Sequence, residues 1–229
     1  MSASLKEICK GCENKCNFFK YLKIDLPDEN IKMISPIRYR RKEMIIKQDS
    51  YSQNICFIKS GIVRVFCERR NDKNIILNIA TPNEFVDLIN IYKDTYIISA
   101  TAMSDCEICI IPKLYINNII KNNSSFAQFL LEKLSEQNNY YVKKIQSLGT
   151  KQMHGRLADV ILYVCSERFK VTSIFEHLSR KDIAELAGMS SENAIRLLTE
   201  FKNDGLIKMD GKKILINNLE LITRLSEIG

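Results

Sequence analysis

Three closely spaced cysteines are the residues of this chain whose chemistry is easiest to specify. Cys9, Cys12 and Cys16 are separated by two and then three residues, and Gly11 lies within the first gap. This spacing lets one short loop place several thiolates around a single metal centre. Closed thiolate sites, whether a tetrahedral zinc or a cubane iron-sulfur cluster, mostly take four protein ligands. The motif therefore predicts a metal centre that is one ligand short, and the alternative is a segment whose cysteines bind nothing.

Composition limits the classes of protein to which the chain can belong. Its 229 residues carry a net charge of +7, but 19 basic and 14 acidic side chains lie before residue 124, so bulk charge does not favour DNA binding by the C-terminal part. No run of about 18 apolar residues and no charged-then-apolar leader occurs, so we expect a soluble, cytoplasmic protein without a membrane partner. Its eight cysteines are then expected to be thiols, metal ligands or core residues.

Strand-like and helical patterns follow one another along the chain. Short β-branched and aromatic runs between turn residues fill 31–112, which predicts a β jelly roll or barrel. Ser124 resembles the N-cap of a long helix that ends near Gly149. Apolar residues in that helix recur at steps of four and three, with Asn138 as the polar member that a two-stranded coiled coil uses to fix its register. The predicted dimer seam is Ala127, Leu131, Leu134, Asn138, Tyr141, Ile145 and Leu148. The alternative is an amphipathic helix on its own core.

The last 80 or so residues have the pattern of a winged helix-turn-helix. After a helix over 153–169, a short helix over 181–187 is followed by Gly188 and by a second helix that runs from Ser190 or Ser191 to about Asn203. Two short strand-like runs joined through Asp210-Gly211 then predict a hairpin, which is the wing. The expected fold is α+β, with a β-roll sensor over 1–123, a dimerisation helix over 124–150 and a winged helix-turn-helix over 151–229.

This order of elements resembles the CRP/FNR superfamily of bacterial transcription regulators over essentially the whole chain. The stretch 58–65, Ile-Lys-Ser-Gly-Ile-Val-Arg-Val, is similar to the β-roll signature of that family, and 190–198 is similar to its recognition helix. The N-terminal cysteines resemble those of the FNR branch, including its nitrosative-stress regulators of the HcpR type. The resemblance implies a cytoplasmic homodimer that binds a palindromic operator in double-stranded DNA, with RNA polymerase as a further partner. No nucleophile, base and orienting group occur together in a recognisable motif, so we do not expect an enzyme.

The FNR resemblance also implies a cofactor and its ligands. Members of that branch hold a [4Fe-4S] cluster with three N-terminal cysteines and a fourth in the β-roll, and Cys109 lies where the family places the fourth. Strand alternation puts Cys106 on the other face of the strand, with Ile108 and Ile110, where we expect core. In the family, oxygen or nitric oxide attacks the cluster and changes DNA binding. The FNR pattern has a longer gap before its third cysteine than this chain, and a structural zinc on the same thiolates is the alternative.

The recognition helix supplies the residues expected to read DNA. Glu192 and Arg196 occupy the reading positions of the family, where arginine can pair with guanine and glutamate with cytosine; an ion pair between them is the alternative. The chain departs from the FNR branch at Ile195, where serine is usual, and a G·C-containing palindromic core is still expected. Ser191 and Asn193 are expected to read bases or to position the helix on the DNA. Phosphate contacts are expected from Arg180, Lys181, Lys202, Lys212 and Lys213.

Other ligands of the superfamily find less support in the sequence. Cyclic nucleotides are held by an arginine and a serine of the β-roll, and this chain has Tyr96 and Ile97 at the corresponding positions. A haem would need an axial ligand, but His154 and His177 both lie outside the β-roll. The sequence thus favours a regulator controlled by an iron-sulfur cluster that senses nitric oxide, oxygen or redox state. A module that holds zinc, haem or another small molecule in its β-roll is the rival interpretation.

Overall fold

The computed structural model describes residues 35–69, 74–170 and 172–229, so Cys9, Cys12 and Cys16 lie outside the described residues. Two compact units can be separated. In the described chain, the first unit comprises 35–65 and Ile79–Asn138, and the second comprises the described part of Phe66–Asn78 together with Asn139–Gly229. No helix in the described ranges is long and apolar enough to cross a membrane.

Among the described residues before 113, seven short strands are present. They pair in two sheets, with the orders β1-β7-β3 and β2-β6-β4-β5, and the β1–β7, β3–β7 and β2–β6 pairs are antiparallel. This is the β jelly roll that the strand-like pattern predicts. The strands are β1 Ser35–Tyr39, β2 Met44–Ile46, β3 Asn54–Ser60, β4 Val63–Cys67, β5 Ile75–Ala80, β6 Ser99–Ala102 and β7 Cys106–Pro112.

The turn between β3 and β4 explains part of the β-roll signature. Gly61 has a φ of +93°, a backbone conformation that L side chains rarely adopt. A Cβ atom at this position would lie 2.5 Å from the carbonyl oxygen of Asp105 and 2.6 Å from the Cys106 Sγ. The turn packs so closely on the start of β7 that only glycine fits there.

Two helices follow β7 without a long connection. Helix α1 spans Lys113–Asn122 and was not expected from the sequence, and α2 spans Ser124–Thr150. The cap of α2 is Asn123 and not Ser124 as predicted, because the Asn123 Oδ1 accepts a hydrogen bond from the Phe126 amide at 3.0 Å. Both helices pack on the sheet through the helix-side core, which is Ile55, Phe57, Phe85, Leu88, Ile91, Cys109, Ile111, Tyr115, Ile116, Ile119, Phe126, Phe129 and Leu130.

A buried carboxyl group and a buried lysine lie inside the first unit. Asp87 is fully buried and its Oδ1 accepts a hydrogen bond from the Cys56 amide at 2.8 Å, while Oδ2 has no partner in the described chain. The Lys113 ammonium donates to the Ser52 Oγ and to the Lys93 carbonyl, both at 2.6 Å. Burial raises the pKa of Asp87 to about 7, although the Cys56 amide and the Lys113 charge act in the opposite direction.

The raised pKa of Asp87 predicts that its contribution to stability falls with pH. Below about pH 4 the carboxyl is protonated in the folded and unfolded states. Between about pH 4 and pH 7 the unfolded state loses this proton while the folded state keeps it, and this difference lowers the free energy of unfolding by an amount on the order of a few kcal/mol. Asp87→Asn keeps an oxygen acceptor for Cys56. We expect the free energy of unfolding, measured in urea, to fall more between pH 5 and pH 8 for the parent protein than for Asp87→Asn. Both proteins are prepared with the same metal content for this comparison. Parallel pH profiles of the two proteins would contradict the assignment.

The second unit contains the predicted helix-turn-helix and wing. The helix predicted over 153–169 ends earlier, because the chain turns after Val164 and buries Phe169 in a short 3₁₀ turn at Glu167–Phe169. The Phe169 ring meets the Tyr163 ring edge to face at a centroid distance of 5.0 Å. The elements are α3 Met153–Val164, α4 Ile174–His177, α5 Arg180–Ala187, α6 Ser191–Asn203, β8 Ile207–Asp210, β9 Lys213–Ile216 and α7 Leu219–Ile228.

Candidate nucleic-acid interface and metal centre

Local capping chemistry defines the two helices of the helix-turn-helix. The Ser179 Oγ accepts from the Asp182 amide at 3.1 Å and the Asp182 carboxylate accepts from the Ser179 amide at 2.8 Å, which is a complete capping box for α5. Gly188 ends α5 in the left-handed conformation, with a φ of +60°. The Ser190 Oγ then accepts from the Asn193 amide at 3.3 Å and starts α6. The chain therefore stops and restarts a helix within three residues, as the sequence predicts.

Helix α6 is two-sided. Ala194, Leu197, Leu198 and Phe201 are buried at helical spacing, which fixes the rotation of the helix. The opposite face exposes Glu192, Ile195, Arg196 and Thr199. Both predicted reading residues thus lie on the exposed face of the second helix, in the first two turns. A helix-turn-helix presents this part of its second helix to base edges in the major groove.

The alternative to base reading, an ion pair between Glu192 and Arg196, is not what the structure shows, because Arg196 pairs with Glu200. The Arg196 Nη1 lies 3.4 Å from the Glu200 Oε2, one turn further along α6. The other oxygen of Glu200 lies 2.9 Å from the His154 Nε2 on α3. Hydrogen bonds from its own backbone amide and from Ser190 lower the pKa of Glu192. These hydrogen bonds favour the ionised form of Glu192, and the pairing with Glu200 holds Arg196 near the helix surface.

The predicted phosphate contacts lie on α5, on α6 and in the wing. Gly211, with a φ of +56°, makes a tight connection between β8 and β9, and Lys212 and Lys213 are exposed there. Lys181 is exposed but lies 3.7 Å from the buried Glu185 of its own helix. Arg180 at the start of α5 is half-buried, and burial lowers its pKa. Ser191 and Asn193 in the first turn of α6 are partly buried, and Lys202 near its end is exposed.

Two cations that sequence analysis did not identify hold the turn between α5 and α6. The Lys144 Nζ on α2 donates to the Leu186 carbonyl at 2.9 Å, and the Arg156 Nη1 on α3 donates to the Gly188 carbonyl at 3.0 Å. A Cβ atom at Gly188 would lie 2.5 Å from the Leu148 Cδ2 on α2. The end of α2 is therefore in direct contact with the turn that positions the recognition helix. The donor and the acceptor are 42 residues apart in the first bond and 32 residues apart in the second, so neither bond produces a local pattern in the sequence.

Cys109 occupies a buried position at the centre of the three-stranded sheet. It pairs with Pro36 on β1 and with Phe57 on β3, is 7% exposed, and belongs to the helix-side core together with Phe126 and Phe129 of α2. The expectation that only the Cys106 face of β7 is core was wrong. Because α1 and α2 cover the sheet, the Cys109 face is core as well. The Cys109 thiol therefore lies in the same apolar environment as the first turns of α2.

The remaining described cysteines have other surroundings. The Cys106 Sγ lies 3.2 Å from the Ser104 carbonyl and 3.4 Å from the Ile62 carbonyl, on the opposite face of β7. Burial raises the pKa of Cys56, Cys67, Cys106 and Cys165, which are all present as thiols without a disulfide. Within the described ranges, no three histidine, cysteine or acidic side chains converge as a metal site. A centre at Cys109 therefore requires ligands from outside these ranges, and the predicted ligands Cys9, Cys12 and Cys16 lie there.

The position at which the superfamily grips a cyclic phosphate is occupied differently. The Tyr96 ring is buried, and its hydroxyl donates to the Asn54 carbonyl at 3.1 Å, while Ile97 is exposed. The Lys113 ammonium lies 5.9 Å from the Tyr96 ring centroid but is bonded to Ser52 and Lys93. Tyr96 is thus a core residue, and neither Tyr96 nor Ile97 carries a positive charge that could bind a phosphate.

The predicted dimer seam divides into two sets of residues. Leu134 packs against the helix-side core, the Tyr141 hydroxyl lies 3.4 Å from the Asn78 Oδ1, and Leu148 contacts Gly188, so these three residues face their own chain. Ala127 is partly buried.

The other residues of the predicted seam are exposed. Leu131 is 66% exposed and Ile145 is 70% exposed, and the exposed Asn138 lies seven residues from each of them. Val142, which was not predicted, is exposed on the same face. We call these four residues, Leu131, Asn138, Val142 and Ile145, the exposed stripe.

A β jelly roll, a long helix and a two-sided recognition helix with a wing define a DNA-binding transcription regulator. Comparison with known proteins agrees: 36–123 match the model of the cyclic nucleotide-binding domain, and 155–225 match that of the Crp-like helix-turn-helix domain. The chain belongs to the CRP/FNR superfamily of transcription regulators.

Individual relatives are distant but cover most of the chain. The transcriptional activator protein Anr of Pseudomonas aeruginosa is 23% identical over 204 residues, which are 86% of this chain and 82% of that protein. The cAMP-activated global regulator CRP of Salmonella typhimurium is 22% identical over 78% of this chain and 88% of its own. The solved structure of FixK2 from Bradyrhizobium japonicum has a TM-score of 0.73 at 18% identity and covers 84% of this chain and 96% of its own.

Proposed function

We propose that this regulator controls its operator binding through a [4Fe-4S] cluster held by Cys9, Cys12, Cys16 and Cys109, and that it responds to nitric oxide, oxygen or redox state. The observation that carries the proposal is the position of Cys109, a thiol on the central strand inside the helix-side core. The chemistry of the donor set fits, since four thiolates are the usual ligands of such a cluster.

The chain connects this thiol to α2 through apolar contacts. Cys109 shares the helix-side core with Phe126, Phe129 and Leu130 of α2, and Phe85 links Phe57 to Phe129 with ring centroids 5.0 and 6.5 Å apart. When bound, the cluster supplies iron sites that react with nitric oxide or oxygen. When Cys109 no longer binds the cluster, the core must pack around a free thiol instead of a metal-bound thiolate. Densely packed cores respond to such changes by shifting the elements around them, here the start of α2.

The far end of α2 supports the second half of this proposal. Lys144 and Leu148 contact the turn between α5 and α6, so displacement of α2 bears directly on the element that orients Glu192 and Arg196. We propose that the exposed stripe of α2 pairs with the same stripe of a second copy. Two recognition helices related by a two-fold axis would then read the two halves of a palindromic operator, and RNA polymerase would be the further partner.

The stripe predicts a specific effect of charge on dimerisation. Ile145→Glu places two carboxylates at a two-fold interface, and like charges at an interface cost several kcal/mol. We expect the dimer dissociation constant to rise about 100-fold or more in sedimentation equilibrium, with a parallel loss of operator affinity. Asn139→Glu is the control, because this exposed residue lies about 120° around the helix from Ile145 and adds the same charge off the stripe. If the Ile145→Glu protein stays as dimeric as the control, the stripe is not the interface.

Anaerobic purification followed by iron, acid-labile sulfide and zinc analysis tests the cofactor. We expect about four iron and four sulfide per protomer and a brown protein. Operator binding is then measured before and after exposure to air. A colourless protein with about one zinc per protomer, whose operator affinity is insensitive to air, would contradict the proposal and favour a structural metal.

A further inference from the structure

A cleft of about 540 Å³ lies in the second unit, between the end of α2, helix α3 and the end of α5. Four cationic side chains line it, and Asp159 is the single acidic residue of its lining. Its size is within the range of about 300–1,000 Å³ that is usual for small-molecule sites. The cleft is therefore large enough for an organic ligand and carries an excess of positive charge. Its cations are Lys143, Lys144, Lys151 and Arg156.

The single carboxylate of the cleft, Asp159, already accepts hydrogen bonds at both of its oxygens. Both oxygens of Asp159 accept from the Lys151 ammonium, at 2.8 and 2.9 Å. The hydroxyl groups of Ser147 and Ser226 donate to the same carboxylate. Lys151 and Asp159 thus neutralise each other. The charges of Lys143, Lys144 and Arg156 are left without a counter-ion inside the cleft.

These three cations retain unused hydrogen-bond donors. Lys144 donates a hydrogen bond to the Leu186 carbonyl, which occupies one of its three ammonium protons. The Arg156 Nη1 donates to Gly188, but its Nε is buried and has no partner among the described residues. Burial lowers the pKa of Lys144 to about 8, even though Asp159 acts in the opposite direction. An ammonium and a guanidinium with spare donors, partly removed from water, are the groups that bind phosphate oxygens.

The remaining walls of the cleft are aromatic and apolar, so they can pack against the part of a ligand that carries no phosphate. The Tyr140 and Tyr163 rings lie 5.3 Å apart, and Val160 and Leu162 add apolar surface. Most of the cleft lining on α2 lies away from the exposed stripe, since Ser147 lies about 200° around α2 from Ile145. Gln146 lies one turn after Val142, so the cleft borders the stripe at this residue.

We propose that this cleft binds a small phosphorylated molecule with an aromatic or apolar body, with Lys143, Lys144 and Arg156 as the phosphate ligands. The site lies outside the β-roll, and its lining shares no residue with the proposed metal centre or with the proposed base-reading residues. It lies beside the turn of the helix-turn-helix, because Lys144 and Arg156 also hold the carbonyls of Leu186 and Gly188.

Calorimetric titration of the full-length protein with adenosine monophosphate and with pyrophosphate tests the site, and adenosine serves as the probe without phosphate. We expect saturable binding of at least one of the two phosphate probes, with one site per protomer, and no binding of adenosine. Lys144→Met is expected to weaken binding at least tenfold and Lys143→Gln several-fold. Lys121→Gln, which changes an exposed lysine of α1 in the other unit, is the control and is expected to bind as the parent does.

Two results would overturn the proposal. The first is the absence of saturable binding of either phosphate probe. The second is a loss of affinity in Lys121→Gln equal to that in Lys143→Gln, because this is the behaviour of non-specific attraction to a basic protein. If Lys144→Met does not fold, Lys143→Gln decides the question, since the exposed Lys143 makes no hydrogen bond or ion pair within the described chain.

Discussion

Replacing Cys109 with alanine is expected to abolish cluster binding, so that anaerobic preparations contain less than a tenth of the iron and sulfide of the parent. Three thiolates remain in that variant, and a cubane cluster that loses one of its four protein ligands is exposed to solvent and to dissociation. Operator affinity should then no longer depend on air or nitric oxide. Metal analysis, visible absorption and operator titration under anaerobic conditions measure the three effects.

Cys106→Ala is the matched control for that experiment. Cys106 lies on the same strand as Cys109 and is buried to a similar degree, with 5% of its surface exposed. The substitution removes a thiol group in both variants. Its Sγ contacts the Ser104 and Ile62 carbonyls on the opposite face of β7 and has no proposed ligand role. We expect it to keep its iron. If Cys106→Ala lost as much iron as Cys109→Ala, general destabilisation of the β-roll would explain both results, and the assignment of Cys109 would be wrong.

Replacing Arg196 with alanine should remove most of the discrimination between the operator and unrelated DNA. A bidentate arginine–guanine contact contributes about 1–3 kcal/mol of specificity, and a dimer makes it in both halves of a palindrome. We therefore expect the ratio of specific to non-specific affinity to fall between about 30-fold and 10⁴-fold. Competition titrations with operator and scrambled duplexes at one salt concentration measure this ratio, while metal content and dimerisation should not change.

Lys212→Ala distinguishes base reading from phosphate contact. Lys212 is exposed at the tip of the wing, so its removal should weaken binding to operator and scrambled DNA alike and reduce the salt dependence by about one counterion per protomer. An Arg196→Ala protein that behaves in this uniform way, with the specificity ratio of the parent, would assign Arg196 to the phosphate backbone.

The helix-turn-helix was predictable because short-range interactions define it. Ser179 with Asp182, the left-handed Gly188 and the Ser190 cap each act within four residues, so their chemistry is visible in the sequence. The early end of α3 was not predictable in this way. No glycine or proline follows Val164, and the helix stops because Phe169 is buried against Tyr163, which is a tertiary contact.

Long-range packing also explains the other differences. The apolar repeat of α2 combines residues that face the chain's own core, such as Leu134, with the exposed Leu131 and Ile145, and periodicity alone cannot separate them. The burial of Cys109 follows from α1, whose presence the sequence pattern did not reveal. Lys144 and Arg156 act on carbonyls far away in the sequence, so only the folded structure identifies them.

Operator affinity before and after nitric oxide tests the proposed control by the cluster most directly. The parent protein is prepared without air, titrated with a labelled palindromic operator by fluorescence anisotropy, then treated with stoichiometric nitric oxide and titrated again. We predict that its dissociation constant changes at least tenfold, and that the Cys109→Ala protein shows no change under the same treatment. An affinity that stays constant in the parent while its visible absorption is lost would contradict control of DNA binding by the cluster.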